Sequence, residues 1–418
     1  MAKSMFDRES SRRDFMRRGL CGIGVSAALP IFLRQSSTAL AMQALGVGNE
    51  KYPNRIMVVL ELSGGNDGLN AVVPFAHDEY YKARPLIAVP ARVVRKLNDE
   101  IGFNPQLQGL HQLFQDGHVA VINGCGYPDP ILSHFQAMDW WHSGVPHGAE
   151  ELGWVGRTAD AIRRAPQENF IMNITTAMAP AVRANVHSPV VFGDPEKFRR
   201  VGGDAAMASG KLDTRMPDSS NPTLGFLQGI SSNAATASVL VRDAVASYQT
   251  PVDYGTAGAT DGTNLKTVAA LIKAGLPTRF YYVNYGGFDT HSNQPDTHAR
   301  LSMYTADAIR GFMDDMERIG RAGDVAMMIF SEFGRRVSQN SSNGTDHGTA
   351  GPMFIVGKTV KGGVYGRHPS LADLDENGNL KFTTDFRRVY ATMIKEWMGY
   401  DDTRSLLRGD FATLGAFA

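Results

Sequence analysis

Four stretches of this sequence set acids, histidines and hydroxyls where they could do chemistry. In residues 324–356, DVAMMIFSEFGRRVSQNSSNGTDHGTAGPMFIV, an apolar run over 325–330 breaks at Ser331-Glu332-Phe333-Gly334-Arg335. A polar loop then leads through Asp346-His347-Gly348 to a second apolar run over 353–356. Both runs are short enough for buried strands. They predict an acid, a cation and a histidine delivered to one sheet edge, where α/β proteins gather ligands. Upstream, Gly286-Gly287-Phe288-Asp289-Thr290-His291 puts a carboxylate and an imidazole two residues apart behind a double glycine. Such a pair suits zinc or a similar metal; taken alone, it also reads as a turn closed by Asp289 with His291 in solvent. Ser133-His134 opens a predicted helix ending at Gly144, with Phe135, Met138 and Trp141/His142 on its buried face. A serine in that position caps the helix. It also suits a nucleophile, because the helix dipole favours an alkoxide and the anionic group it attacks. Lastly, Ser63-Gly64-Gly65-Asn66-Asp67-Gly68 follows an apolar strand, a glycine-rich turn with Asn66 and Asp67 as turn residues.

The elements that must hold these groups alternate in type. Strands are predicted at 55–62, 118–123, 169–174 and 279–284 besides the two already named, and helices at 104–115, 133–144, 152–164, 264–274, 296–319 and 384–398. A hairpin-like turn is expected at 362–366. The pattern predicts an α/β domain over 42–418, with the polar groups at strand ends. Between 179 and 261 periodicity fades into Gly, Ala, Ser, Asp and Pro, with helices expected near 221–229 and 234–249. This reads as an insertion capping the sheet edge and shaping substrate access. His298 reads as a surface residue, and His77, His111, His118, His187 and His368 carry no assigned role.

Lys+Arg and Asp+Glu both number 42, so no charge excess points to a nucleic-acid partner. Hydrophobic residues at 43% supply a core for a chain of 418 residues. Residues 1–41 read as a twin-arginine signal peptide. Ser11-Arg12-Arg13-Asp14-Phe15-Met16 is followed by an apolar segment over 19–33, too short to span a membrane, and by Ala39-Leu40-Ala41 as a cleavage site. The expected partner is the twin-arginine export machinery, the expected location periplasmic or secreted, with no stable membrane span after cleavage. Removing the leader takes away seven basic and three acidic residues and leaves a mildly acidic chain whose one cysteine is Cys125. No internal disulfide can then form, and Cys125 between two glycines reads as a small core residue.

Taken together, the blocks GGNDGLN (64–70), SHFQAMDWWHSG (133–144), GGFDTH (286–291), FSEFGRRV (330–337) and TDHGTAGPMFIVG (345–357) resemble the bacterial family known as domain of unknown function 1501. That family is similar to the alkaline phosphatase-like superfamily, which includes sulfatases. The resemblance implies a three-layer sandwich with a central, mostly parallel sheet and helices on both faces. It implies Asp67, Asp289, His291, Glu332 and His347 as metal ligands, Ser133 as nucleophile, and Asn66, His134 and Arg335 as substrate-binding groups. Asp346 would orient His347 from behind. Glu332-Phe333 stands where the superfamily carries Asp-His, so a mononuclear site, or one for ions that favour carboxylates, enters beside a dinuclear zinc site. The expected cofactor is therefore one or two divalent ions drawn from Zn, Mg, Mn and Ca. The function implied is hydrolysis, or related transfer, of a phosphate or sulfate ester on a small molecule or glycan. The alternative is an exported binding protein that keeps the fold around a degenerate metal site.

Overall fold

A computed structural model describes residues 50–198, 236–255 and 260–417. The proposed leader and the helix expected near 221–229 lie outside these residues. Among the described residues the central sheet has nine strands: β1 (Ile56–Leu62), β2 (Val119–Gly126), β3 (Ile171–Ile174), β4 (Val190–Val191), β5 (Phe280–Tyr285), β6 (Val325–Phe330), β7 (Gly351–Gly357), β8 (Gly363–Tyr365) and β9 (Thr384–Asp385). Their spatial order is β8-β2-β7-β6-β1-β5-β3-β4, with β9 lying against the end of β2. The helices that matter here are α1 (Gln108–Gln115), α2 (His134–Ser143), α3 (Trp154–Ile162), α4 (Thr260–Lys273), α5 (Gln294–Arg318) and α6 (Arg387–Thr392).

Strand β1 explains the layering. All seven of its residues are buried, as a strand covered on both faces requires. Ile56, Val58, Leu60 and Leu62 join the core shared with Leu110 and Leu113 of α1, Leu265 and Val268 of α4, and Ile309 and Phe312 of α5. Met57 and Val59 turn the other way, into a core with Trp141 of α2, Ala159 and Ile162 of α3, and Val389 and Tyr390 of α6. Burying an aliphatic side chain of this size contributes about 1.5–3 kcal/mol, so these two apolar layers hold the fold without a disulfide. Cys125 is buried and free within the second layer. The expected three-layer α/β architecture is thus present.

Every pairing in the sheet is parallel except the two made by β7, which runs antiparallel to both β2 and β6. This exception matters for chemistry. A parallel strand brings its following loop to the carboxyl edge, whereas an antiparallel one brings its preceding loop there. The residues before β7 and those after β1, β5 and β6 therefore meet at one edge.

Some local expectations change. The stretch at 362–366 is not a hairpin; it holds β8, which pairs in parallel with β2. The helix expected at 384–398 starts at Arg387 rather than Thr384, because Thr384 and Asp385 extend the sheet; it continues into a π-helical turn over Met393–Trp397, and a short helix follows at Thr403–Leu407. Phe135 is 89% exposed instead of packed, because α2 buries Ala137, Trp141 and His142 against the sheet. His298 is buried, not at the surface. Residues 236–247 are helical, and the segment after them is fastened to α5 by Tyr248, Thr250 and Tyr254, whose hydroxyls all donate to the buried Asp315.

Candidate functional site

At the carboxyl edge, the loop after β1 turns through Gly64 and Gly65, both at positive φ. A Cβ on Gly64 would overlap the Asp289 backbone, and one on Gly65 would overlap the Phe333 ring, so only glycine lets these three segments touch. The loop between β6 and β7 doubles back on itself, with the Gly348 N–H donating to the Gly334 carbonyl at 2.9 Å and the Arg336 N–H to the Asp346 carbonyl at 3.0 Å. This fold-back places His347 beside the start of the loop.

Four side chains converge there. His134, Asp289 and His347 each offer a donor atom, all within 4.8 Å of one another. His291 approaches from the other side: its Nε2 lies 3.0 Å from Asp289 Oδ1 and 2.9 Å from His347 Nε2. His347 Nε2 is 3.3 Å from Asp289 Oδ1, and His134 Nε2 is 3.5 Å from Asp289 Oδ2. Each imidazole is held from behind through Nδ1. His134 Nδ1 meets Glu332 Oε1 at 2.8 Å, His291 Nδ1 meets Asp346 Oδ1 at 3.1 Å, and His347 Nδ1 meets the Leu132 carbonyl at 2.8 Å. A carbonyl can only accept, and so can an ionised carboxylate, so Nδ1 is the protonated nitrogen in each ring. All three Nε2 atoms then face Asp289, each with a lone pair where its ring is neutral. His134 Nε2 is buried without a hydrogen-bond partner, its nearest charged neighbour being Asp289 Oδ2 at 3.5 Å.

The charges support this arrangement. Burial alone would push the Glu332 carboxyl up, but hydrogen bonds from His134 and the backbone N–H groups of the Gly64–Gly65 turn outweigh it and keep the group ionised. The Asn340 side chain and His291 hold the Asp346 carboxyl below its ordinary range. Glu332 in turn raises the His134 imidazole, chiefly through their hydrogen bond. Burial lowers that of His347. Asp289 is lowered despite burial because Arg335 donates to it at 2.6 Å.

The other residues singled out in the sequence sit differently from their expected roles. Asp67 is fully buried and its carboxylate is spent. It caps Leu69 and Asn70, accepts from Gln294, and forms an ion pair of 2.7 Å with Arg84, neither side chain being exposed at all. That leaves no oxygen to ligate a metal. Glu332 stands behind His134 rather than among the donors, since Oε1 takes the Gly64 N–H and His134 while Oε2 takes the Ser331 hydroxyl. Arg335 is 1% exposed and donates to the Gly65, Thr345, Gly64 and Phe288 carbonyls as well as to Asp289. Its fork is filled by the chain, so it braces the glycine turn instead of gripping a substrate. Asn66 is buried, with Oδ1 accepting from His298 Nε2 at 2.9 Å. Asp346 supports His291 and not His347, which rests on Leu132. Phe333, 3% exposed, packs its ring against His134 and His347 with centroids 4.9 and 4.7 Å away.

Ser133 is exposed and forms the N-cap of α2, yet its side chain makes no capping bond. It lies between Leu132, whose carbonyl holds His347, and His134, whose ring belongs to the centre. The partners that sequence reasoning missed are Arg84, Gln294 and His298. Two of them were readable: Gln294, His298, Ser302 and Thr305 recur at helical spacing on α5, and all are buried. A polar stripe of that kind on a core face signals partners to be satisfied.

Fold and site together define an α/β protein that gathers three imidazoles and a carboxylate at the carboxyl edge of its sheet. The chain belongs to the family described as protein of unknown function (DUF1501), whose model matches residues 123–409. A comparison with curated proteins returns no match. Among solved structures, the zinc complex of the C-terminal periplasmic domain of EptC from Escherichia coli is similar at 11% identity and a TM-score of 0.41, covering 89% of this chain and 95% of that one. The PsFucS1 sulfatase of Pseudoalteromonas sp. is similar at 11% identity and a TM-score of 0.37, covering 90% and 72%. The phosphonate monoester hydrolase of Silicibacter pomeroyi is similar at 10% identity and a TM-score of 0.36, covering 86% and 76%. Among the described residues no helix is long and apolar enough to cross a membrane.

Proposed function

We propose that this protein hydrolyses a phosphate or sulfate ester, or transfers its oxyanion group, with Ser133 as the nucleophile beside a cation held by the histidine–Asp289 centre. The observation that carries the reading is the approach of three Nε2 atoms to Asp289, one of them on His134, directly after an exposed serine whose hydroxyl is not used for capping. A divalent ion, when bound there, would polarise the ester and favour the ionised serine oxygen.

The chain's own groups supply the rest. Ser133 Oγ, giving up its proton to solvent, forms a bond to phosphorus or sulfur as the bond to the ester oxygen breaks. That oxygen leaves with the electron pair and takes a proton from solvent, and water then displaces the group from Ser133 and returns a proton to Oγ. The first intrahelical bond of α2 runs from the Ala137 N–H to the Ser133 carbonyl at 2.8 Å, so the preceding N–H groups and the helix dipole favour an anion at Ser133. They take over the part first expected of Arg335. Asp289 and His347 stay in place because Arg335 and Leu132 hold them. We further propose that the chain is exported by the twin-arginine route signalled by Arg12-Arg13. The insertion expected over 179–261 is narrower than that span, because Val190–Val191 is a strand of the central sheet and 260–273 a helix packed on it.

The test is Ser133→Ala against a panel of aryl phosphates and aryl sulfates, with circular dichroism to show an intact fold. Turnover by the parent protein and its loss in Ser133→Ala is the expected result. Equal turnover in both would remove Ser133 from the reaction. No turnover of any ester, with tight binding of the panel, would favour an exported binding protein instead.

A further inference from the structure

We infer that the centre takes one divalent ion of the nitrogen-preferring kind, zinc or a close chemical equivalent, through Nε2 of His134, His291 and His347 and the carboxylate of Asp289. Glu332 then serves as a positioning residue that acts through His134. The inference rests on the ester-hydrolase reading only in placing a cation at this centre; it adds the ligand set, the number of ions and their class.

The first argument is electrostatic. With Nδ1 of His291 and His347 donating to Asp346 and Leu132, both Nε2 atoms carry lone pairs, yet they stand 2.9 Å apart. Two lone pairs at that distance repel unless a proton or a metal ion lies between them, and a metal ion also engages the carboxylate beside them. Asp289 Oδ1, at 3.0 and 3.3 Å from the same two nitrogens, adds negative charge to the same spot.

The second argument is metric. Bonds of 2.0–2.1 Å in a tetrahedron place donor atoms about 3.3 Å apart. The separations of 2.9, 3.0 and 3.3 Å among His291, His347 and Asp289 Oδ1 approach that value, and His134 Nε2, 3.5 Å from Asp289 Oδ2 and within 4.8 Å of the His347 donor, closes on the ion when it binds. The backing of each ring by a carboxylate or a carbonyl is the arrangement that fixes ligating imidazoles and raises their basicity.

The third argument counts donors. A second ion would need further carboxylates, and those nearby are engaged: Asp67 by Arg84 and Gln294, Glu332 by Gly64, His134 and Ser331, Asp346 by His291 and Asn340. The Phe333 ring presents an apolar wall to His134 and His347. Among the described residues, no second group of three metal-competent side chains gathers. Three imidazoles with one carboxylate suit zinc and its neighbours, whereas magnesium and calcium favour oxygen donors.

The experiment uses the full chain, purified without chelator. Elemental analysis should give one equivalent of zinc-class metal per chain, and apoprotein titrated with Co²⁺ should develop visible absorption that saturates at one equivalent. Glu332→Gln should weaken Zn²⁺ binding by about 10–100-fold, and His134→Ala should weaken it at least as much. Two equivalents, preferential binding of Mg²⁺ or Ca²⁺, or unchanged Zn²⁺ affinity in a folded His134→Ala would overturn the inference. Should that variant not fold, the wild-type stoichiometry and the cobalt spectrum decide alone. Ser133→Ala, run in parallel, separates the two readings. One ion in a protein that turns over no ester supports the centre and defeats the hydrolase, whereas turnover by a metal-free protein does the reverse.

Discussion

Asp67→Asn would show whether Asp67 serves stability or metal binding. Asn caps a helix as well as Asp, so the short helical turn at Gly68–Ala71 keeps its start and the change isolates the charge. Arg84 would then be left buried and charged with its counter-ion gone. Both side chains of this pair are fully buried, and removing one partner of such a pair costs about 3–5 kcal/mol. That is about a hundred- to a few-thousand-fold in the folding equilibrium. The pH dependence has a definite sign. Burial acts to raise the Asp67 carboxyl, but the charges of Arg84 and His298 and hydrogen bonds from Arg84 and Gln294 bring it below its ordinary value. A depressed folded-state pKa means the contribution is complete above the unfolded value of about 3.9 and is lost as pH falls through the folded one. Urea unfolding followed by tryptophan fluorescence at pH 7 and in mild acid would measure both. Asp67→Asn should lose about 3–5 kcal/mol at pH 7, the gap to wild type should narrow below about pH 4, and bound metal should be unchanged. The reasoning fails if the variant keeps wild-type stability, or if it loses its metal while remaining folded.

Other outcomes follow from the same geometry. Gly64→Ala places a Cβ at φ +118° against the Asp289 backbone; thermal unfolding should show a loss of at least about 1–3 kcal/mol, and metal affinity should fall as Asp289 shifts. Phe333→Ala removes the ring that packs beside both His134 and His347, and denaturant unfolding should register about 3–5 kcal/mol. Burial pushes the Cys125 thiol well up, so it stays protonated at neutral and mildly alkaline pH. A disulfide reagent should therefore label it only after unfolding.

Much of the frame was legible because periodicity reports burial. The runs at 55–62 and 325–330 are continuous and apolar, and both became strands covered on two faces. Asp289, His291 and His347 were legible as a set because short loops at strand ends leave their side chains few other places to go. What failed was the choice of partner for each polar group, which distant chain decides. Nothing local to Asp67 announces Arg84, seventeen residues on, as its counter-ion. The arginine in Ser331–Arg335 reads as a substrate clamp until the carbonyls of Gly64, Gly65 and Thr345 are known to surround it. Phe135 looked like part of a helical apolar face, but α2 meets the sheet one position round, through Ala137 and Trp141.

The antiparallel strand has a consequence for how the molecule comes to exist. Strand β7 slots between β2, more than 220 residues earlier, and β6, and β1 has to await β5 and β6 from the last third of the chain. Closing loops of such length costs entropy before any contact compensates it. His134 leaves the ribosome long before Asp289, His291 and His347, and the four have no neighbourhood in common until the two ends of the sequence have been zipped into one sheet. The cation affinity proposed for this centre would therefore be a late product of folding, and its onset during refolding would time the closure of the sheet's middle.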